Sequence, residues 1–210
     1  MRRTASVEQE LLRARLIVIL RLHDHSNVVK IATTLCDAGV QFLEVTLERS
    51  EGLRSLQQVA NAIDDRAFVG AGTVMSAADV ERASKAGARF IVAPDTNLEV
   101  IRTAREHGLL VIPGALTPNE IARAVTEGAE IVKLFPASLG GVDYLRALRA
   151  PFPEVKFIPT GGVTSDNAPS WLGGGAVAVA MGSNLVHATG DTDGLIERAR
   201  LAVAATSSEG

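Results

Sequence analysis

Lys133 stands in the run E-I-V-K-L-F-P and Glu44 in Q-F-L-E-V-T-L, each an ionisable side chain inside an otherwise apolar stretch rich in β-branched residues. Such stretches read as strands buried on both faces, where an isolated charge is costly. The strand period of two puts Ile131, Lys133 and Phe135 on one face, and Phe42, Glu44 and Thr46 together in the other strand. If the Lys133 face is a dry interior, desolvation disfavours the ammonium and favours the neutral amine that attacks a carbonyl carbon. A carboxylate close by would balance the lysine and carry a proton to or from a substrate carbon or oxygen. Two structural readings stand beside this one. Lys133 could point outward and snorkel between helices, and Glu44 could be a buried ion-pair partner with no chemical task.

A second group of residues speaks to anion binding. P-T-G-G-V follows the run VKFIPT, and M-G-S-N-L follows AVAVA. Gly161, Gly162 and Gly182 let backbone N–H groups approach an anion closely, and Ser183 adds a hydroxyl donor. A short helix beginning at Ser183 would add the partial positive charge of its N-terminus. The segment V-G-A-G-T-V brings Thr73 toward the same region. These features point to a phosphorylated or otherwise anionic substrate.

The elements that would position these residues alternate regularly. Candidate strands are 16–21, 41–47, 68–72, 89–93, 109–113, 130–135, 155–160 and 176–180, and the segments between them carry apolar residues at helical spacing. Four of the helices close on a glycine, and Ser76 and Thr117-Pro118 are helix-start signals. Strict alternation predicts the α/β class with a parallel sheet. Eight units predict a (β/α)8 TIM barrel with a leading N-terminal helix, forming a single domain over 1–210. A doubly wound open sheet is the structural rival. In a barrel, strand ends face the catalytic side. Arg89, Glu130 and Lys156 lie at strand starts, where a structural role is the default, whereas Arg21, Glu44 and Lys133 lie mid-strand or at strand ends.

Composition narrows the class of partner. Hydrophobic residues at 47% against 21% charged allow a large core, and a net charge of −3 with scattered Lys and Arg gives no basic stripe for nucleic acid. Cys36 is the sole cysteine, so no intramolecular disulfide forms and a cytoplasmic setting is expected. No apolar run approaches the ~20 residues that cross a bilayer. The N-terminal MRRTASVEQELLRARL continues as a charged helical pattern rather than a secretory leader, so no membrane association is expected.

The segments L-E-V-T-L (43–47), V-G-A-G-T-V (69–74), A-P-D (93–95), P-G-A-L-T-P-N-E (113–120), K-L-F-P-A (133–137), P-T-G-G-V (159–163) and G-S-N-L (182–185) occur in this order along nearly the whole chain. In them the chain resembles the 2-keto-3-deoxy-6-phosphogluconate aldolases, also described as 4-hydroxy-2-oxoglutarate aldolases. The resemblance implies a class I pyruvate aldolase, metal-free, without a cofactor, and assembled as a homotrimer. It places Lys133 on the Schiff-base lysine and Glu44 on the general acid/base. Thr73, Pro94, Phe135 and Thr160 fall on pocket positions, and Gly161, Gly162 and Ser183 on the phosphate site. Many members carry an arginine directly after L-E-V-T-L that meets the substrate carboxylate. Here that position is Glu48, followed by Arg49. Another branch ends its first strand in V-L-R, which Arg21 in V-I-L-R matches, so carboxylate binding is assigned to Arg21 with Arg49 as second candidate.

Rival functions remain at this point. His23-Asp24-His25 could hold a metal, but no further cluster of carboxylates or histidines supports it, and the expectation is no metal. A phosphosugar isomerase, epimerase or synthase would share the glycine loops without needing Lys133 as an electrophile trap. A non-catalytic phosphosugar-binding protein would bind the ligand without releasing pyruvate.

Overall fold

The computed structural model describes residues 4–48 and 51–207. In chain order the elements are α1 (Thr4–Ala14), β1 (Leu16–Leu20), α2 (Val28–Asp37), β2 (Phe42–Thr46), α3 (Gly52–Ile63), β3 (Phe68–Gly72), α4 (Ala77–Lys85), β4 (Phe90–Val92) and α5 (Leu98–Glu106). There follow β5 (Leu110–Ile112), β6 (Gly114–Ala115), α6 (Pro118–Thr126), β7 (Ile131–Leu134), α7 (Gly141–Arg149), β8 (Lys156–Pro159), α8 (Ala168–Gly173), β9 (Val179–Met181) and α9 (Leu195–Thr206).

The expected α/β alternation is present, and every strand pairing is parallel. The strands form a six-stranded sheet ordered β5-β4-β3-β2-β1-β9 and a three-stranded sheet ordered β6-β7-β8. The single run expected at 109–113 is divided into β5 and β6, because Pro113 has no N–H to continue the ladder. The sheets touch on both sides of this division. The Lys133 N–H donates to the Pro113 carbonyl at 2.9 Å, and the Val177 N–H donates to the Phe157 carbonyl at 3.1 Å. A further parallel bridge joins Thr160 to Ala180.

Side chains divide by the period of two. One set, including Leu16, Val18, Leu43, Val45, Val69, Ala71, Val132, Leu134 and Phe157, packs outward under the helices. The alternate set, including Ile17, Ile19, Phe42, Phe68, Phe90, Val92, Ile112, Ile131, Ile158 and Ala180, packs inward as a separate apolar cluster. Val7 and Leu11 of α1 join that inner cluster, so the leading helix covers it at one end. Lys156, at the start of β8, bridges Glu8 of α1 and Glu130 at 2.6 Å and 3.2 Å. This is the structural role expected of a charge at a strand start.

Helix ends follow the local signals. The Ser76 side chain accepts from the Asp79 N–H, and Thr117 forms a reciprocal capping box with Glu120. The closing glycines Gly39, Gly87, Gly108 and Gly128 all have positive φ, as a left-handed helix stop requires. Among the described residues, no helix is long and apolar enough to cross a membrane.

Candidate active site

Lys133 lies on the inner face, in register with Gly114 and Ile158 and on the same side of β7 as Ile131. The residue is buried. Its ammonium stands 4.9 Å from the centre of the Phe135 ring, on a half-buried side chain that follows β7. The outward, snorkelling orientation is therefore not the one adopted.

Glu44 occupies the matching inner position on β2, beside Phe42, and is 1% exposed. Both carboxylate oxygens are buried and neither has a hydrogen-bond partner among the described residues. No ion pair with Lys133 forms there, so Glu44 is not a locked structural partner of the lysine. Burial pushes its carboxyl above the ordinary carboxylate range, the charges of Lys133 and Arg21 pull it part of the way back, and Glu48 pushes it further up. Space for this side chain comes from β3. A Cβ added at Gly72 would lie 2.0 Å from Glu44 Oε1, and one at Gly70 would lie 2.5 Å from the Phe90 ring. The two glycines are spaced by the strand period and leave room on the inner face at positions where the sequence reading saw only the rim residue Thr73.

A cavity of about 170 Å³ opens at the carboxyl ends of the strands and is lined by Arg21, Lys133, Phe135, Thr160, Gly161, Gly162, Gly182 and Ser183, among others. Eight of the sequence-derived candidates thus share one space. Gly161 and Gly162 have φ of 92° and 78°, which a side chain would strain, and they turn the chain after β8 into the cavity wall. The Thr160 side chain is buried and its carbonyl accepts the Ala137 N–H at 2.8 Å. His23 and Asn184 also line this wall. Sequence reasoning did not assign them there, because loop residues of this kind carry no periodic signal. Among the described residues no carboxylate lines the cavity, whose wall combines the cationic Arg21 and Lys133 with apolar side chains such as Ile19, Phe135 and Val163.

Three expectations look different in three dimensions. Gly182 to Val186 form a hydrogen-bonded turn, with the Leu185 and Val186 N–H groups both donating to the Gly182 carbonyl, rather than a helix starting at Ser183. Leu185 and Val186 are pulled into the core, and no apolar helical repeat follows them. Thr73 and Pro94 lie at the same strand ends but outside the lining of this cavity. Thr73 instead engages Arg21 and Glu48, and the Pro94 carbonyl would lie 2.4 Å from a Cβ at Gly114. Arg49 lies outside the described residues. Among the described residues, no group of three or more His, Cys, Asp or Glu could hold a metal ion; His25 Nδ1 is instead 2.7 Å from Ser55 Oγ.

A buried amine, a buried carboxyl and an anion-friendly mouth at the strand ends suit covalent carbonyl chemistry. The family profile described as KDPG and KHG aldolase matches residues 7–197. The chain belongs to the KDPG and KHG aldolase family. It is accordingly an aldehyde-lyase of class I type, and the isomerase, epimerase or synthase alternative is not favoured. Its similarity to 2-dehydro-3-deoxy-6-phosphogalactonate aldolase of Escherichia coli K12 is 34% identity over 174 residues, covering 82% of this chain and 85% of the relative. A KDPG aldolase of Legionella pneumophila, solved with pyruvate captured at low pH as a covalent carbinolamine intermediate, matches with a TM-score of 0.83 and 27% identity, covering 99% of each chain. A cube-shaped protein cage designed by fusing symmetric oligomeric domains matches with a TM-score of 0.88 and 31% identity over 92% of this chain and 72% of its own.

Proposed function

We propose that this aldolase cleaves a 2-keto-3-deoxy-(6-phospho)sugar acid or a 4-hydroxy-2-oxo acid to pyruvate and an aldehyde, with Lys133 as the Schiff-base lysine. The observation that carries the reading is the buried pair on the inner face: an amine lining the cavity, and a carboxyl with no hydrogen-bond partner among the described residues that is electrostatically coupled to it.

The reaction follows from charge flow. Lys133 Nζ adds to the C2 carbonyl carbon to give a carbinolamine, and loss of water leaves an iminium. Ionised Glu44 takes the C4 hydroxyl proton, the C3–C4 bond breaks, and its electron pair passes to the iminium nitrogen. The aldehyde leaves and an enamine of pyruvate remains. Protonated Glu44 returns its proton to C3, and water hydrolyses the iminium to pyruvate and free lysine. The iminium is the electron sink, so this sequence calls for no cofactor. A carboxyl that burial raises above the ordinary carboxylate range suits a group that must both accept and return a proton.

Around this centre we assign the substrate carboxylate to Arg21, with Arg49 as second candidate, and the pyruvate pocket to Thr73, Pro94 and Phe135. The distal phosphate is assigned to Thr160, Gly161, Gly162, Gly182 and Ser183. The carbinolamine captured in the Legionella pneumophila relative supports the covalent step. We further infer that the two sheets close as one (β/α)8 barrel in a single domain over 1–210, supported by the hydrogen bonds that join them at Pro113 and between β8 and β9. A homotrimer is the assembly we favour, supported by the likeness to a cage built from oligomeric domains and by the exposed Leu139 and Leu201. A metabolic aldolase with one cysteine fits the cytoplasm.

A coupled pyruvate-release assay across phosphorylated and unphosphorylated 2-keto-3-deoxy acids tests the activity. Release by the wild type, abolished in Lys133→Ala, is expected; equal release by both proteins would refute the lysine's role.

A further inference from the structure

Arg21, Glu48 and Thr73 form a polar cluster on the rim beyond the ends of β1, β2 and β3. Strand register explains the meeting. Leu20 lies opposite Val45 and Thr46 opposite Gly72, so the residues leaving these three strands emerge side by side. Glu48 Oε2 forms an ion pair with Arg21 Nε at 3.1 Å and accepts from the Thr73 hydroxyl at 3.5 Å. Thr73 Oγ1 in turn accepts from Arg21 Nη2 at 3.5 Å. Thr73 has φ of 57°, a left-handed conformation that a β-branched residue keeps only where its surroundings over-determine it.

A guanidinium offers two edges to acceptors. The side edge, Nε with one Nη2 proton, faces the paired Glu48 carboxylate and donates from Nη2 to Thr73. The end edge, Nη1 with the other Nη2 proton, has no acceptor among the described residues. Arg21 also lines the cavity that holds Lys133. A carboxylate fits such an end edge as a bidentate pair, and the two edges keep two anions apart on one cation.

We propose that Glu48 is a positioning residue for keto-acid binding: by holding the side edge of Arg21 it presents the end edge to the substrate carboxylate. Recognition of that carboxylate then comes from β1, and Glu48, itself an anion, bears on that carboxylate through Arg21. The inference rests on the assignment of the substrate carboxylate to Arg21.

Pyruvate alone is a sufficient probe, because the enamine formed from it exchanges its methyl protons with solvent whatever the natural aldehyde. Exchange in heavy water, followed by proton NMR over a range of pyruvate concentrations, yields KM and the saturating rate separately. Glu48→Ala is expected to raise KM by roughly three- to fivefold, the range that corresponds to an exposed ion pair. The saturating rate stays within about twofold. Glu48→Gln, which keeps an acceptor for the guanidinium, raises KM less. Arg21→Ala raises KM by about tenfold or more, as loss of a charged hydrogen-bond donor does. The double variant Arg21→Ala/Glu48→Ala is no worse than Arg21→Ala alone.

An unchanged KM in Arg21→Ala would overturn the carboxylate assignment beneath the proposal. With that assignment standing, the positioning role is overturned if Glu48→Ala leaves KM unchanged or lowers it. An effect of Glu48→Ala that persists in the Arg21→Ala background overturns it as well.

Discussion

Glu44 is the residue whose environment makes the sharpest demands. Its carboxyl is raised above the ordinary range by burial, and the proposed mechanism needs it ionised to accept the C4 hydroxyl proton. The rate must therefore fall as pH drops through that raised pKa. The acid limb of kcat/KM is expected clearly above about 4.3, the value of a free glutamate. Glu44→Gln removes that limb and slows turnover by about 10²- to 10⁴-fold, while leaving the pyruvate adduct on Lys133 able to form. A limb at the ordinary carboxylate value, or normal aldol kinetics in Glu44→Gln, would assign the proton transfer elsewhere. Gly72 makes a related demand from the neighbouring strand. A methyl group there would sit 2.0 Å from Glu44 Oε1, so Gly72→Ala must displace the carboxylate. Turnover is expected to fall by about tenfold or more through misplacement of the reacting group, with a stability loss of about 1–3 kcal/mol by denaturant unfolding. Wild-type turnover in Gly72→Ala would contradict the placement of the carboxylate against β3.

At the scale of elements, the period of two is what made the site legible. Lys133 with Ile131, and Glu44 with Phe42, could be assigned to common faces from spacing alone, and the structure has both pairs facing inward. The glycine turn after β8 was equally readable, because few other residues tolerate the backbone of Gly161 and Gly162. Other features were not readable for physical reasons. The Arg21–Glu48 pair is 27 residues apart in sequence, as the numbers 21 and 48 give directly, and only the β1–β2 register brings the two together. The turn at Gly182 and a helix start at Ser183 cannot be told apart by sequence, because a short Ser-led segment carries the same local signal in both cases. The inner role of α1 depends on packing, since an amphipathic helix does not announce which surface it covers. Leu11 is fully buried in the inner cluster. Leu11→Ala is expected to cost about 2–5 kcal/mol in urea unfolding, with kcat of the folded protein nearly unchanged because α1 meets a strand start, where Glu8 pairs with Lys156, and contributes no residue to the cavity lining. A stability change under about 0.5 kcal/mol would mean α1 is not part of the core.

Across the whole molecule, the architecture separates two tasks. The outer apolar set and the helices over it hold the strands together, while the inner set fills the space from Val7 and Leu11 up to Ile158 and stops where Lys133, Glu44 and the cavity begin. The Lys133 amine is thereby placed beside buried apolar side chains, and the cavity it lines opens at the strand ends. Membership of the KDPG and KHG aldolase family over residues 7–197 matches this division of labour. Everything the molecule does is then expected to pass through one carbon–nitrogen bond. Incubating the protein with pyruvate, reducing with borohydride and mapping the modified peptide reads that bond directly. The account predicts a single stable three-carbon adduct on Lys133, absent from Lys133→Ala. No adduct, or one on another lysine, would contradict it.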